Sequence, residues 1–257
     1  KTPSPPRRRC PRMIVLTRRA IAAVICGIAP AAAWMSGSTT NAGLVNNLVR
    51  DKVIRDSRVA TAMKEVDRAD FCPPASRPYD DRPLSIGHQA TISAPHMHAH
   101  VLGLLKDNLV EGSRALDVGV GSGYLATVMA QMVGESGKVI GMDVIPELVD
   151  LSRRNVQKHW HRLLAPPEPR VVLTHGDGWA GVPGELFDAI HVGAAAESIP
   201  RALVDQLKPG GRMIVPVGVD RQALVLVEKR PDGTVEEKSL FGVMYVPLVK
   251  KRPGGAA

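Results

Sequence analysis

From Arg114 onward, short apolar runs alternate with stretches of helical periodicity, and no other feature constrains the fold as strongly. Candidate strands cover residues 115–118, 139–142, 171–174, 189–192 and 213–217, with helices predicted at 125–133, 146–159 and 200–207 between them. Short strands without polar alternation need cover on both faces, and helices in the connections supply it. The pattern predicts an α/β fold with a Rossmann-like, doubly wound, mostly parallel sheet. After Pro216 the rule changes. Residues 223–228 and 236–245, joined around Pro231-Asp232-Gly233, have the turn chemistry of an antiparallel hairpin.

Upstream, Leu44, Val45, Leu48, Val53, Val59 and Met63 recur at helical spacing and break at Arg50-Asp51, which predicts two short helices. Pro73, Pro74, Pro78 and Pro83 make residues 72–83 mostly loop, and helical periodicity returns over 96–109. The expected organisation is a leader over residues 1–33 and one domain over 34–257. Within that domain, a helical and loop region (34–110) precedes the cofactor-binding core and hairpin (111–257).

The formal charge of +8 is local. Eight of the 33 basic residues and none of the 25 acidic ones lie in residues 1–50, so the rest is formally neutral and gives no support for a nucleic-acid partner. Arg18-Arg19, an apolar run over 20–29 and Ala31-Ala32-Ala33 follow the order of a signal peptide, while the Arg-rich, acid-free composition also fits a transit peptide. A third reading is an extension ahead of a start at Met13 or Met35. The run is shorter than the roughly 20 apolar residues of a membrane span. Cys10, Cys26 and Cys72 are widely spaced, which argues against a disulfide scaffold and suits a reducing compartment. A cytoplasmic location is expected, with organellar or secretory targeting by residues 1–33 as the alternative.

The stretch Leu116-Asp117-Val118-Gly119-Val120-Gly121-Ser122-Gly123 lies where the first strand should turn into a helix. Alternate glycines let the backbone turn sharply and approach a ligand at the carboxyl edge of the sheet. Asp143 closes the second strand twenty residues after Gly123, the spacing at which a carboxylate reaches ribose hydroxyls. The GxGxG pattern leaves little room for a pyrophosphate, so a nucleoside without phosphates, such as S-adenosylmethionine, fits better than a dinucleotide. Asp177, in His175-Gly176-Asp177-Gly178-Trp179, could accept from an adenine amino group or simply make an Asp-Gly turn. Asp117 could organise the glycine loop, meet the cofactor's ammonium, or cap a turn.

Residues 85–99, Ser-Ile-Gly-His-Gln-Ala-Thr-Ile-Ser-Ala-Pro-His-Met-His-Ala, resemble the signature of the protein-L-isoaspartate (D-aspartate) O-methyltransferase family. The resemblance runs from about Trp34 to Val249 and includes His191-Val192-Gly193-Ala194-Ala195-Ala196, Leu207-Lys208-Pro209-Gly210-Gly211-Arg212 and Tyr245-Val246-Pro247-Leu248. It implies that Ser93 is the active-site serine and that Ala90, Thr91, Ile92, Ser93 and His98 lie where cofactor and substrate meet. Around S-adenosylmethionine it implies Asp117, Gly119, Gly121, Ser122, Gly123, Asp143, Val144, Asp177 and Gly178. It also makes Val215-Pro216-Val217-Gly218 the edge of a substrate-peptide cleft. The implied substrates are damaged proteins and peptides bearing L-isoaspartyl, and also D-aspartyl, residues. A monomer without metal is expected. The chain departs from animal members after Leu248, and His88 stands where an aromatic residue is common.

Other chemistries fit less well. A serine hydrolase would need the Gly-x-Ser-x-Gly turn, which Ser93 lacks. His96, His98 and His100 include no Cys or acidic partner for a metal. A methyltransferase for RNA or small molecules would share the glycine loop and Asp143 but leaves residues 85–99 without a role. An adaptor of the same fold without turnover is the remaining alternative, and catalysis is expected instead.

Overall fold

A computed structural model describes residues 36–250; the leader expected over residues 1–33 lies outside them. A seven-stranded sheet dominates, in the order β5-β4-β3-β6-β7-β8-β9. Its strands are β3 (Arg114–Val118), β4 (Lys138–Asp143), β5 (Val171–His175), β6 (Phe187–Val192), β7 (Leu207–Val217), β8 (Gln222–Lys229) and β9 (Val235–Val243). From β5 to β7 all neighbours are parallel; β8 and β9 join antiparallel. The predicted hairpin is therefore not separate but continues the main sheet through β7.

The parallel strands are apolar on both faces because both are covered, though unequally. On one face, Ala115, Val139, Val171 and Ile214 pack beneath α1 (Asn41–Arg50), α2 (Ser57–Glu65), α3 (Pro95–Leu105), α4 (Tyr124–Met132) and α5 (Pro146–Trp160). Helix α4 lies deepest, between α2 and α5, and eight of its nine residues are buried. On the other face, Leu116, Ile140, Ile190 and Met213 meet the five-residue α6 (Arg201–Asp205), Trp179 and Leu248. The sequence suggested a longer helix over 200–207, but Leu207 already pairs with Phe187 as β7 begins.

The chain order reverses between β3 and β6. Crossovers to β4 and β5 run over one face and the crossover from β6 to β7 over the other, so the strand ends part there and leave a crevice.

The segment before α3 was not legible as secondary structure. It is a hairpin of β1 (Leu84–Gly87) and β2 (Ala90–Ile92), with Leu84 opposite Ile92 and Gly87 opposite Ala90. The two turn residues, His88 and Gln89, have φ of 50° and 58°, the conformation of a type I′ turn. Such turns favour Asn and Gly, and this one carries neither, which is why turn chemistry did not reveal it. Helix α3 has no side-chain cap of its own at Ala94. Instead the buried Asp81 reaches in from the proline-rich loop: its Oδ1 accepts from His96 N (2.9 Å) and pairs with His96 Nδ1 (2.8 Å). That contact fixes where the hairpin ends and the helix starts, and hence where Ser93 sits.

Candidate active site

The crevice at the β3/β6 switch point is a cleft bordered on one side by Thr91, Ile92, Ser93 and His98, and on the other by Gly119, Val120, Gly121 and Ser122. Asp117, Tyr124, Leu125, His191 and Gly193 complete it. Ser93 and the glycine loop, far apart in sequence, thus face one space.

The loop itself is shaped by its glycines. Gly121 has φ of 50°, and a Cβ there would approach Ile86 Cδ1 to 3.2 Å, so the β1–β2 hairpin rests directly on the loop. Gly123 caps α4 with φ of 88°, and a Cβ would meet Ser152 Cα at 3.3 Å. A side chain at either position would be strained by the left-handed backbone as well as crowded.

Asp143 does not border the cleft but holds the loop that does. Its Oδ2 accepts from Gly121 N and its Oδ1 from Ile145 N, both at 3.1 Å. Burial raises the pKa of this carboxyl, and the hydrogen bonds from Ile145 and Gly121 oppose that rise. Val144, beside it, gives its carbonyl to His175 Nε2 at 3.1 Å.

Asp117 is paired with His191 across adjacent parallel strands, in register, with Oδ1 and Nδ1 2.7 Å apart and both side chains buried. The sequence reading placed Asp117 at the site but missed its partner, although His191 stood inside one of the quoted family stretches. A register argument could have found it, since Asp117 and His191 occupy matching positions near the ends of their strands.

His98 is buried against the Tyr124 ring, with centroids 5.0 Å apart, and its Nδ1 has no hydrogen-bond partner among the described residues. Burial holds its pKa well below 6.5, helped by the nearby Arg68 guanidinium and by His191 and His96. A histidine kept neutral contributes stability that is full above about pH 6.5 and is lost as pH falls toward its depressed folded value. His100, also lowered mainly by burial, acts in the same direction. Thermal melts are expected to show the midpoint falling as pH drops from 7 toward 5, with a shallower fall in His98→Asn; parallel slopes would exclude His98 as a source. The three histidines of α3 do not converge: His96 turns to Asp81, His98 to Tyr124 and His100 to Phe241.

Other expected residues lie around the cleft rather than in it. Asp177 Oδ1 accepts from Trp179 N at 2.9 Å, closing an Asx turn, and Gly176 N donates to Asp143 O, so this turn begins beside the end of β4. Gly178 is buried against Val118 and Leu248. Ala90 is half-buried in β2. Val215, Pro216 and Val217 end β7, where Pro216 O accepts from Ala196 N and Gly218 N donates to Ala196 O, both at 2.9 Å. That strand end is joined to the segment following β6, whose first residue, Gly193, borders the cleft.

Residues 245–248 form a strap along the opposite side of the same segment. Ala195 N donates to Val246 O and Leu248 N to Ala195 O, each at 2.8 Å, and Trp179 Nε1 bonds Leu248 O at 3.0 Å. Tyr245 heads this strap, and as a residue it is half-buried. Burial pushes its phenol up to about 12.

Comparison with known proteins adds a family to this geometry. The model of the Protein-L-isoaspartate(D-aspartate) O-methyltransferase family matches residues 39–253. A Caenorhabditis elegans protein-L-isoaspartate O-methyltransferase is 46% identical over 221 residues, covering 85% of this chain and 96% of the relative. Protein-L-isoaspartate O-methyltransferase 2 of Arabidopsis thaliana is 48% identical over 217 residues, 84% of this chain and 70% of its own length. A crystal structure of a beta-aspartate methyltransferase from Plasmodium falciparum, in complex with S-adenosyl-L-homocysteine, superposes with a TM-score of 0.77 at 36% identity, covering 84% of this chain and all of that one.

Proposed function

This chain belongs to the protein-L-isoaspartate(D-aspartate) O-methyltransferase family and transfers methyl groups from S-adenosylmethionine to L-isoaspartyl residues of damaged proteins, and on that premise we propose how its residues divide the work. Ser93 orients the substrate carboxylate, the loop from Gly119 to Gly123 cradles the cofactor, and Asp143 serves its ribose. The observation that carries this division is the single cleft shared by Ser93, Gly119 and Gly121.

The residues present suit the cofactor. The loop offers backbone free of Cβ atoms at Gly119, Gly121 and Gly123, the Asp143 carboxylate closes β4 beside it, and His98, whose buried Nδ1 has no partner among the described residues, lines the cleft. Bound S-adenosylmethionine supplies an electrophilic methyl group. A substrate carboxyl with a pKa of about 4 is already ionised at neutral pH, so no residue need act as a strong base. What remains for the protein is alignment and exclusion of water, worth roughly 7 to 11 kcal/mol in favourable cases. Ser93 donates a hydrogen bond to the carboxylate and is not a covalent nucleophile. Thr91 and Ile92, at the end of the hairpin, and Val120, opposite, shield the space from solvent. His98, Asp177, Gly178, Ser122 and Val144 border the cofactor, and Val215, Pro216, Val217 and Gly218 flank the substrate backbone.

We also place D-aspartyl residues among the substrates, and the chain in the cytoplasm as a monomer. The buried Cys72 thiol, unpaired among the described residues, suits a reducing compartment; no described helix is long and apolar enough to cross a membrane. With labelled S-adenosylmethionine, the purified chain is expected to methylate an isoaspartyl peptide and to leave the matching aspartyl peptide unlabelled. Equal labelling of both would reject the repair reading.

A further inference from the structure

Three hydrogen-bond acceptors meet where β3 and β6 end side by side, and none has a donor among the described residues. Asp117 Oδ1 is paired with His191 Nδ1 at 2.7 Å, while Asp117 Oδ2 makes no hydrogen bond. A carboxylate can only accept in that contact, so the proton sits on Nδ1 and the neutral ring presents a lone pair at Nε2. Gly119 O, where the glycine loop begins, likewise accepts no hydrogen bond. All three residues border the cleft, and so does Gly193. Gly193 brings them to one spot: a Cβ built on it would stand 3.1 Å from Gly119 O and 3.3 Å from His191 Cε1. Because residue 193 is glycine, a ligand can approach both.

We propose that His191 is a cofactor-binding residue, whose Nε2 joins Asp117 Oδ2 and Gly119 O in receiving the α-ammonium group of S-adenosylmethionine. An ammonium group carries three N–H donors and no acceptor, which is the complement of three acceptors without donors. The single negative charge of Asp117 balances its positive charge in a buried place, where charge-assisted hydrogen bonds are strong. Asp117 therefore acts twice. It attracts the cation, and by taking the Nδ1 proton it turns an acceptor rather than an N–H toward that cation. A proton on Nε2 and the ammonium would compete for the same carboxylate, so the ring that receives the cofactor is the neutral one. With the adenosyl portion held by the glycine loop and the ammonium held here, the sulfonium between them is fixed from both sides, the alignment on which methyl transfer depends.

The proposal rests on the cofactor assignment above and not on the peptide, so its test is one of binding, and its failure would leave the isoaspartyl reading standing. The probes are S-adenosylhomocysteine and its deaminated analogue, in which hydrogen replaces the α-amino group. His191→Asn keeps a donor for Asp117, because the Asn amide nitrogen takes the place of Nδ1, and removes the Nε2 acceptor. In calorimetric titrations this variant should bind S-adenosylhomocysteine about tenfold more weakly than wild type, the worth of one hydrogen bond to a charged group. Its affinity for the deaminated analogue should stay within about twofold, since that ligand never made the contact. Gly193→Ala, whose Cβ crowds the same spot, should show the same selective loss, and it decides the matter if His191→Asn does not fold. Unchanged affinity for S-adenosylhomocysteine, a loss shared equally by the analogue, or a wild-type chain that binds both probes alike overturns the proposal.

Discussion

Replacing Ser93 with alanine is expected to lower kcat for isoaspartyl-peptide methylation about 100-fold while leaving S-adenosylmethionine affinity within about threefold. The split follows from position. Ser93 lies just past β2, on the wall of the cleft that faces the glycine loop. Its removal should not disturb the cofactor cradle but should leave the carboxylate free to turn away from the methyl group. Single-turnover assays with saturating peptide would separate this from a binding defect. Unchanged turnover in Ser93→Ala would remove the hydroxyl from the mechanism.

An effect of similar size, but on binding, is expected at Asp143. Asp143→Ala should weaken S-adenosylmethionine binding about 100-fold, roughly 2.7 kcal/mol, because two charge-assisted interactions that bear on the cofactor are lost at once, besides the bond from Ile145 N. One is visible: the carboxylate holds Gly121 N and so fixes the loop. The other is the proposed contact with the ribose. Asp143→Asn should lose less, since it keeps an acceptor oxygen and is cheaper to bury than the carboxylate, whose pKa burial already raises. Calorimetric titration of both variants would test the ordering. Affinity within about threefold of wild type in Asp143→Ala would show that the loop holds itself and that ribose is bound elsewhere.

The parallel part of the sheet was legible because buried strands write themselves as uninterrupted apolar runs. The starts of β3 and β4 fall within one residue of the positions read from sequence, at Arg114 and Lys138. The β1–β2 hairpin was not legible. Its strands have only four and three residues, too few for a period to register, and its turn uses His88 and Gln89 in a backbone conformation those residues seldom adopt. The glycine loop and Asp143 announced themselves by spacing, because a strand, a tight turn and a second strand end are all local. Three relations could not be read locally. The pairing of Asp117 with His191 spans 74 residues and depends on strand register. The cap of Asp81 on His96 starts in a proline-rich loop that has no period and reaches across the whole β1–β2 hairpin. The Gln222 side chain, whose Oε1 accepts from Tyr245 N and whose Nε2 donates to Tyr245 O, depends for both bonds on where β9 ends, and a lone glutamine in a strand gives no sign of them.

The strap has one more consequence. Through Leu248 the tail is committed twice over: its main chain is bonded to Ala195 and Trp179, and the leucine side chain fills space against Gly178 on the thinly covered face of the sheet. From Val249 those obligations end: Val249 lies largely in solvent, and Lys250 rests over the Trp179 ring and makes an exposed ion pair with Glu197 at 3.4 Å. Substitution at Val249 or Lys250 is therefore cheap, whereas a change one step earlier would loosen the packing around Trp179 and Gly178.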